Sequence, residues 1–575
     1  MTAHHSFAVP LLVPAIIASC LCRPCAAGDA QPGEKPPAAR QTIIRISRET
    51  TRITGPLDDA GFVDYAGAIN QIAGKGVTPE NNFEVVMRRV FGLDAIYKEY
   101  HDEYCRLLGI AKPVGPVGPI ENFETFFPKA SPPGEDSHQR WTRIMEEYDQ
   151  LDEGPWTAAE HPEGAKWLKS IEPQLDALVQ GSRRPRLFVP TFSNPEWSDP
   201  FVYSDYRSVA RVLSGRAMFR LGNGDIEGAW SDLQAVHRVA RLVGSGPRVL
   251  DPLVAGALES LALDGDRIVL QSHLLSDALA RRFLADMKQL SPLPQMAPVL
   301  NVGERYWTLD VIQQLARQQQ EQQLDWKGLI EAFGELTQSV TGVPPVVLLR
   351  SADQMVSFSI ETPRNQNSTP RRPVVAPVPD FVLIEWNEIL IRLNRRIDRE
   401  VAALAEQDLK QQKKLTSTLS SDMKKTRRDT LELTESWTDE TVGRPPQFQR
   451  VMENLLLIGL LQAESLPALA SVERRDLARL EVTRLAFAAE VYQRDHSRYP
   501  ETLDKLLPQY VAAVPVDPLS EQPLRYRQDI HGFTLYSVGR NERDDGGRDH
   551  YSPDSRGQDF DDIVIQIRKP RKESE

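Results

Sequence analysis

The chain has little of the positive charge that binding to a nucleic acid requires. Its 68 lysines and arginines are outnumbered by 80 aspartates and glutamates, which gives a formal net charge of −12. A protein that binds DNA or RNA needs a basic surface that neutralises phosphates. The basic run near the end of the chain, Arg568 to Lys572, is short and is typical of a solvated tail. We therefore expect no nucleic-acid partner.

Cysteine is nearly absent, and its positions argue against a fold held by disulfides. Three of the four cysteines, Cys20, Cys22 and Cys25, lie in the first 27 residues, and the fourth is Cys105. If those 27 residues are removed, Cys105 has no partner for an internal disulfide. Cys22 and Cys25 have the spacing of a redox motif, but no strand is predicted before them, so we interpret this spacing as coincidental.

Recognisable catalytic motifs are also missing. The sequence contains no His-Glu-x-x-His zinc motif, no Gly-x-Ser-x-Gly nucleophile elbow and no phosphate-binding P-loop. Its ten histidines are scattered, and carboxylate pairs such as Glu146 and Glu147 fall on polar helix faces, where solvation is usual. Catalytic groups can still converge from distant segments. We therefore favour a non-enzymatic protein and keep an enzyme as the alternative.

The N-terminus has the pattern of an export signal. Phe7 to Leu21 is a mainly apolar run of 15 residues that contains Pro10 and Pro14. A helix that crosses a bilayer takes about 20 apolar residues, so this run is short for a span and suits the apolar region of a signal peptide. The small residues that end at Ala27 predict cleavage after that position, and hence an exported protein of the periplasm or cell envelope.

A second interpretation of the same segment is lipidation. Residues Ile17 to Cys20 read Ile-Ala-Ser-Cys, which resembles a bacterial lipobox. In that case Cys20 carries the lipid, becomes the new N-terminus and attaches the protein to a membrane. The sequence leaves both alternatives open, cleavage after Ala27 or lipidation at Cys20.

The remaining chain predicts a mainly α fold, built of antiparallel helical hairpins in a solenoid-like stack, with a small C-terminal α+β domain. Apolar residues recur with helical period over Asp205 to Leu221 and Ile226 to Val243, which Gly-rich residues separate. Val249 to Leu270 and Ser276 to Leu290 predict a second hairpin. Thr78 and Pro79 are typical of a helix start.

Composition predicts the segment boundaries. In chain order we expect a signal peptide (1–27), a flexible linker (28–50), an N-terminal helical segment with a Pro/Gly-rich connector (51–137), a helical-hairpin domain (138–340), an irregular linker (341–380), a helical region (381–470), the C-terminal domain (471–569) and a tail (570–575). Phe381 to Leu433 predicts one long helical stretch whose second half is rich in Lys, Gln and Ser and exposed to solvent. Pro467 predicts a break between two helices.

The C-terminal domain has a distinct pattern of one long helix followed by strands. Ser471 to Arg494 is an amphipathic helix by its spacing. Leu524 to Arg527, Phe533 to Val538 and Ile563 to Ile567 read as strands by their β-branched and aromatic content, and His531-Gly532 predicts the turn of a hairpin.

The motifs of this domain resemble the globular domain of the major pseudopilin of type II secretion. They are Asp495-x-x-Arg498-Tyr499-Pro500, Val514-Pro515-x-Asp517-Pro518, Pro523-Leu524-Arg525-Tyr526, Gly532-Phe533-x-Leu535-Tyr536-Ser537-x-Gly539 and an acidic loop before Asp562-Ile563. The chain departs from that family because the apolar run before the domain, Leu455 to Leu461, is far shorter than a pseudopilin assembly helix. The whole layout also resembles large uncharacterised exported proteins of planctomycete-type bacteria, which implies no activity.

The resemblance implies a calcium site in the acidic loop. Residues 541 to 562 carry eight carboxylates and three arginines. Calcium takes six to eight oxygen ligands. By position, Asp561 and Asp562 match the ligand carboxylates of the family, and Asp544 and Asp545 are further candidates. We expect no cofactor other than calcium.

Three functions remain open at this stage. The leading hypothesis is an exported, non-enzymatic interaction or scaffold protein of the cell envelope, with unidentified protein partners. The second is an envelope enzyme of unknown chemistry, and the third is an accessory component of a type II secretion or pilus-like system. A deep pocket with converging carboxylates or histidine would favour the enzyme.

Overall fold

A computed structural model describes residues 42–111, 120–127, 136–192, 200–322, 384–435, 454, 465–549, 552 and 560–568. The protein is mainly helical, with a small antiparallel sheet of three strands near the C-terminus. The predicted fold class is therefore confirmed. Among the described residues no helix combines the length and the apolar character that crossing a membrane requires.

The main elements run as follows. The helices are α1 (Tyr65–Ala73), α2 (Phe83–Phe91), α3 (His101–Leu108), α4 (Phe123–Phe126), α5 (Ser137–Gln150), α6 (Pro162–Ser170), α7 (Glu172–Gly181), α8 (Pro200–Gly222), α9 (Ile226–Gly244), α10 (Leu250–Gln271), α11 (Asp277–Gln289), α12 (Met296–Val299), α13 (Arg305–Gln322), α14 (Trp386–Ala405), α15 (Leu409–Glu435) and α16 (Leu466–His496). The strands are β1 (Arg525–Asp529), β2 (Gly532–Ser537) and β3 (Ile563–Arg568).

Side-chain caps decide where several helices begin. The Asn82 side chain accepts the backbone N–H of Glu84, so α2 begins at Phe83. The predicted start at Thr78 is wrong, because the carbonyl of Thr78 accepts the N–H groups of Asn81 and Asn82 and closes a turn instead. An N-cap satisfies an amide that has no partner within the helix, and asparagine does this as well as any residue.

The first predicted hairpin is present as α8 and α9, and its turn is tight. Gly224 adopts a φ of +80°, a left-handed conformation that glycine enters without steric cost. The Asp225 side chain then accepts the N–H of Gly228 and begins α9. Helix α10 packs against both α8 and α9. The three helices form the centre of the helical body.

The second predicted hairpin is arranged differently. Helices α10 and α11 both pack against α16. Pro467 lies in the first turn of α16, so the break predicted near this proline is instead the start of one continuous helix. The single stretch predicted from Phe381 to Leu433 is divided into α14 and α15 at residues 406–408.

The sheet packs against α16, and β3 also contacts α10. Its strand order is β1-β2-β3, and Phe533 pairs with Ile567 while Leu535 pairs with Ile565. These four side chains are buried in the same core as Phe487 of α16. Each predicted strand overlaps its observed strand, with ends that differ by at most two residues.

The buried side chains form two cores that do not follow the predicted boundary between 470 and 471. The first core joins residues between 83 and 287 to residues between 480 and 567. The second core joins residues from 44–69, 296–316, 384–423 and 466–470. Helix α16 contributes its first turn to the second core and most of its length to the first, so it connects them.

Part of the predicted flexible linker 28–50 is packed. Ile44 is buried in the second core and Thr50 is fully buried. The Arg45 N–H donates to the side chain of Asn387, and the Asn394 amide donates to the Thr50 carbonyl. Residues 42–50 are therefore part of the body, because α14 offers their backbone hydrogen-bond partners. Residues 28–41, the signal peptide 1–27 with Cys20, the linker 341–380 and the tail 570–575 lie outside the described residues.

A close backbone contact fixes the entry to α13. A π-helical turn, Leu300–Glu304, connects α12 to α13. A Cβ atom on Gly303 would overlap the backbone carbonyl of Pro247. Any side chain larger than hydrogen at this position would therefore have to push one backbone segment away from another.

Candidate functional site

The acidic loop that was predicted to bind calcium lies over the outer face of the sheet. It follows β2, and its Asp544 accepts hydrogen bonds from the Tyr536 hydroxyl at 2.9 Å and from Nε of Arg525 at 3.2 Å. Arg527 donates to the Gly546 carbonyl at 2.7 Å. Polar contacts to β1 and β2 therefore hold the loop against the strands.

Three of the four predicted ligands meet at the base of this loop. The Asp561 N–H donates to Asp545 at 3.3 Å, and Asp561 itself accepts the N–H groups of Arg540 and Asn541 at 2.9 and 3.0 Å. Asp562 accepts the Gly547 N–H at 2.8 Å. Asp544 points instead towards Tyr536 and Arg525. The structure thus joins Asp545, Asp561 and Asp562 through the backbone and directs Asp544 to the sheet.

Negative charge is concentrated at this point. Burial, together with the charges of Asp545 and Asp544, raises the pKa of Asp562 to about 6. Burial acts in the same direction on Asp544, but hydrogen bonds from Tyr536, Gly546 and Arg525 hold its pKa below the usual value. A cation beside Asp562 would relieve this repulsion. Among the described residues no group of three or more His, Cys, Asp or Glu side chains is arranged to hold a metal ion, and Asp554 and Asp559 of the loop lie outside them.

A second cluster, which sequence reasoning missed, lies inside the helical body between α9 and α10. Nδ1 of His237 is 2.8 Å from a Glu259 oxygen, and its Nε2 is 3.0 Å from an Asp266 oxygen. Arg241 donates to both Glu259 oxygens, at 2.7 and 3.1 Å. The His237, Glu259 and Asp266 side chains are almost completely buried.

The two carboxylates keep the imidazole charged. A neutral imidazole has one N–H and one acceptor nitrogen, so it could donate to only one carboxylate. Burial opposes the charge, but Glu259 and Asp266 outweigh it and raise the pKa of His237 to about 9. Burial likewise opposes ionisation of Glu259, yet His237 and Arg241 lower the pKa of its carboxyl to about 2. Burial raises the pKa of Asp266 above its usual value, although His237 opposes this shift. In this cluster, His237 and Glu259 carry opposite charges at neutral pH.

Its geometry is that of a structural ion cluster. Both nitrogens of His237 face carboxylates and the side chain is inaccessible to solvent, so no nitrogen is left to accept a proton from a substrate. The sequence carried a weak indication, since His237 and Arg241 lie four residues apart and Glu259 and Asp266 seven apart, each pair on one helix face. Only the register of α9 against α10 brings the two pairs together.

A third buried cluster anchors α2 to α8. Nε of Arg88 lies 2.7 Å from Glu84, and its Nη2 donates to Asp205 at 2.8 Å. The hydroxyls of Tyr104 and Tyr206 donate to Glu84 at 2.6 and 2.5 Å. Because every partner is itself buried or half-buried, this network also serves packing.

Polar contacts fasten the C-terminal domain to the helical body. Arg479 of α16 pairs with Asp264 of α10 at 3.0 Å. The outer edge of β3 is met by the end of α10, where Gln271 donates to the Gln566 carbonyl at 3.0 Å and His273 lies 2.7 Å from the Arg568 carbonyl. The sheet is therefore bound to the body through α16 and through β3.

Aromatic side chains fill the same junction. Trp230 of α9 stacks on Phe283 of α11, with ring centroids 4.0 Å apart, and Phe487 of α16 meets the Trp230 ring edge-on at 5.4 Å. Contacts of this kind add to the hydrophobic stabilisation of a core. Helix α16 thus inserts a side chain into the centre of the helical body.

A cavity of about 590 Å³ opens beside the N-terminal residues of the described chain. Its described lining consists of Arg48, Arg52, Ile53, Thr54 and Gly55. Nη2 of Arg52 is 3.7 Å from Asp398. This lining offers cationic and backbone groups, which suit binding of a polar surface more than acid–base chemistry.

Comparison of the chain with protein-family models, curated proteins and solved structures finds no match. The likeness of residues 471–569 to pseudopilins therefore rests on the sequence motifs alone.

Proposed function

We propose that this protein is an exported, non-enzymatic interaction or scaffold protein of the cell envelope. The observation that carries the proposal is the position of α16, which packs on the helical hairpins and on the C-terminal sheet and contributes to both cores. The sheet is thereby held at a fixed orientation on a large helical body. Such packing suits a domain that presents a surface to a protein partner.

The two alternative functions require different structural features. An envelope enzyme requires a cleft in which carboxylates or histidines converge. The His237 cluster contains such groups, but its side chains are buried and a substrate cannot reach them. An accessory role in a type II secretion or pilus-like system requires contact with a pseudopilin filament. Helices α10 and α11 pack against α16, and the acidic loop lies over the outer face of the sheet, which leaves the hairpin tip and the surface of the loop for partners.

Site-specific photo-crosslinking of the full chain in a bacterial host tests the scaffold proposal. Ile530 at the tip of the β1–β2 hairpin is 83% exposed, and Ile72 on α1 is 54% exposed and serves as the matched control. We expect a photoreactive residue at position 530 to capture a defined envelope protein that position 72 does not capture. Recovery of a pseudopilin would instead support the accessory role, and retention of the chain in the cytoplasm would overturn the proposal.

We propose further that the acidic loop binds calcium through Asp545, Asp561 and Asp562, with Asp544 recruited from the sheet. Support comes from the hydrogen bonds that join Asp545 to Asp561 and Asp562 at the base of the loop, where burial and, to a smaller extent, the charges of Asp545 and Asp544 raise the pKa of Asp562. Because the domain shares its core with the helical body, the test uses the full chain. Calorimetric titration should give binding heat that Asp562→Asn removes and that Asp504→Asn, at an exposed position of the same domain, retains. The weakest calcium sites in proteins have dissociation constants of about 1 mM, so the absence of binding heat at that calcium concentration would refute the proposed site.

A further inference from the structure

Helix α15 buries one narrow stripe and exposes the opposite side. The buried positions recur with helical spacing, and Leu419 and Met423 among them belong to the second core; they are Leu409, Gln412, Thr416, Leu419, Ser420, Met423 and Thr430. Arg474 of α16 donates to Gln412 at 2.8 Å, which fixes the rotation of the helix about its axis. The exposed side is therefore presented by a rigid helix and not by a flexible arm.

The exposed side carries a row of cations in a sector that holds no carboxylate between Lys410 and Arg428; Asp422 lies outside this sector, and Glu432 lies beyond Arg428. At about 100° per residue, six basic residues fall within a sector of about 120°. They are Lys410, Lys413, Lys414, Lys424, Lys425 and Arg428. Ser417 and Ser421 fill the sector between them, and no Asp or Glu lies in it from Lys410 to Arg428. At 1.5 Å per residue the row is about 27 Å long.

Two of these cations are already neutralised. Lys413 pairs with Glu542 of the acidic loop, and Arg428 lies 3.8 Å from Asp429 and 4.0 Å from Glu432. The other four are exposed and form no ion pair with any described residue. These four define the lysine face: Lys410, Lys414, Lys424 and Lys425.

Holding four exposed cations in a row, without an ion pair to any described residue, is unfavourable in the free protein. Like charges four residues apart on a helix repel each other, as Lys410 and Lys414 do. The chain as a whole has a net charge of −12, so this face opposes the charge of the rest of the molecule. An anionic partner that contacts the whole row would convert the repulsion into attraction.

We propose that the lysine face docks on an anionic phospholipid surface. The four lysines lie along one helix, and all four are exposed. A flat array of phosphate headgroups can contact all four lysines at once. The serines between the lysine pairs offer no apolar side chain for insertion, so the attachment is electrostatic and sensitive to salt. The inference rests on the proposed envelope location.

Vesicle co-sedimentation of the full chain, purified without a lipid, tests the proposal. Vesicles of phosphatidylcholine with about 30% phosphatidylglycerol are compared with pure phosphatidylcholine, at low salt and at about 0.5 M NaCl, where the screening length is only a few ångströms. We expect binding to the anionic vesicles alone, and its loss at high salt.

Charge-matched variants then locate the contact. Each cation near an anionic bilayer contributes about fivefold to partitioning, which corresponds to about 1 kcal/mol. The lysine-face variant changes four residues: Lys410→Gln, Lys414→Gln, Lys424→Gln and Lys425→Gln. The control removes four exposed lysines elsewhere: Lys75→Gln, Lys98→Gln, Lys169→Gln and Lys505→Gln. The lysine-face variant should bind at least about a hundredfold more weakly, while the control variant binds as the unchanged chain does.

The outcomes separate this inference from the proposed function. Equal loss in both variants, unchanged binding of the lysine-face variant, or equal binding to neutral vesicles would overturn the docking proposal. Tighter binding of duplex DNA than of anionic vesicles through the same lysines would also overturn it in favour of a nucleic acid. If the protein binds anionic vesicles but is not exported, the proposed envelope function is wrong, while the lysine face still binds anionic phospholipid.

Discussion

Replacing His237 by glutamine tests whether the buried cluster between α9 and α10 stabilises the body through an ionised imidazole. Glutamine has a similar size, but its single amide nitrogen can donate to Glu259 or to Asp266 and its oxygen would face the other carboxylate. Removing one partner of a buried ionic cluster costs about 3 to 5 kcal/mol, because the remaining charges stay buried without compensation.

The pKa of His237 gives an independent magnitude. Its value rises from 6.5 to about 9 on folding. A group whose pKa is raised in the folded state stabilises the fold fully below its unfolded pKa, and this stabilisation is lost as the pH rises through the folded pKa. At 1.36 kcal/mol per unit, the shift corresponds to about 3 kcal/mol. The two magnitudes describe the same interaction and are not added.

The assay is urea unfolding followed by far-ultraviolet circular dichroism, at about pH 7 and about pH 10, either side of the folded pKa. The free energy of unfolding of His237→Gln should fall below that of the unchanged chain by about 3 kcal/mol at the lower pH and by less than about 1 kcal/mol at the higher pH. His138→Gln, at an exposed position on α5, is the control and should have little effect. A stability gap that stays constant between the two pH values would refute the charged-imidazole argument.

Two further substitutions test the packing of other buried elements. Arg88→Met leaves Glu84 buried without its cation and should lower the free energy of unfolding by about 3 to 5 kcal/mol. Arg106→Met removes an exposed ion pair and should leave the free energy of unfolding nearly unchanged in the same urea assay. Gly303→Ala should cost about 1 to 3 kcal/mol or more, because its Cβ overlaps a backbone carbonyl, while Gly154→Ala, which has open space, should leave the thermal midpoint nearly unchanged. Equal effects within either pair would contradict the packing described.

Local patterns were sufficient to predict many elements of the fold. The turn at Gly222 to Asp225 separates two runs in which apolar residues recur with helical period. The end of α8 and both ends of α9 lie within one residue of the prediction, whereas α8 begins five residues earlier than predicted. The hairpin between β1 and β2 was predicted because its turn residues lie between two short runs rich in aromatic and β-branched side chains. In both cases the deciding information lies within a few residues along the chain.

Tertiary contacts decided the rest. Helices α10 and α11 pack on α16 and do not pair with each other as predicted. This packing depends on residues some 200 positions later in the chain, so the local periodicity of apolar residues could not predict it. The His237 cluster requires the register between α9 and α10. The acidic loop was found by composition, yet the direction of Asp544 was set by Tyr536 and Arg525 on the strands beneath it. The residue types were sufficient to identify the candidate calcium ligands, but they could not predict the directions in which the side chains point.

The position of α16 makes the C-terminal segment resemble a peptide ligand that is covalently tethered to its own receptor. Without α16, the helical body would expose the apolar side chains that Phe487 and its neighbours cover, including the ring of Trp230. Two separately produced fragments, one ending before α16 and one beginning with it, would then reassemble by the same contacts that fold the intact chain. The strength of that reassembly would measure directly how firmly the sheet is carried by the body.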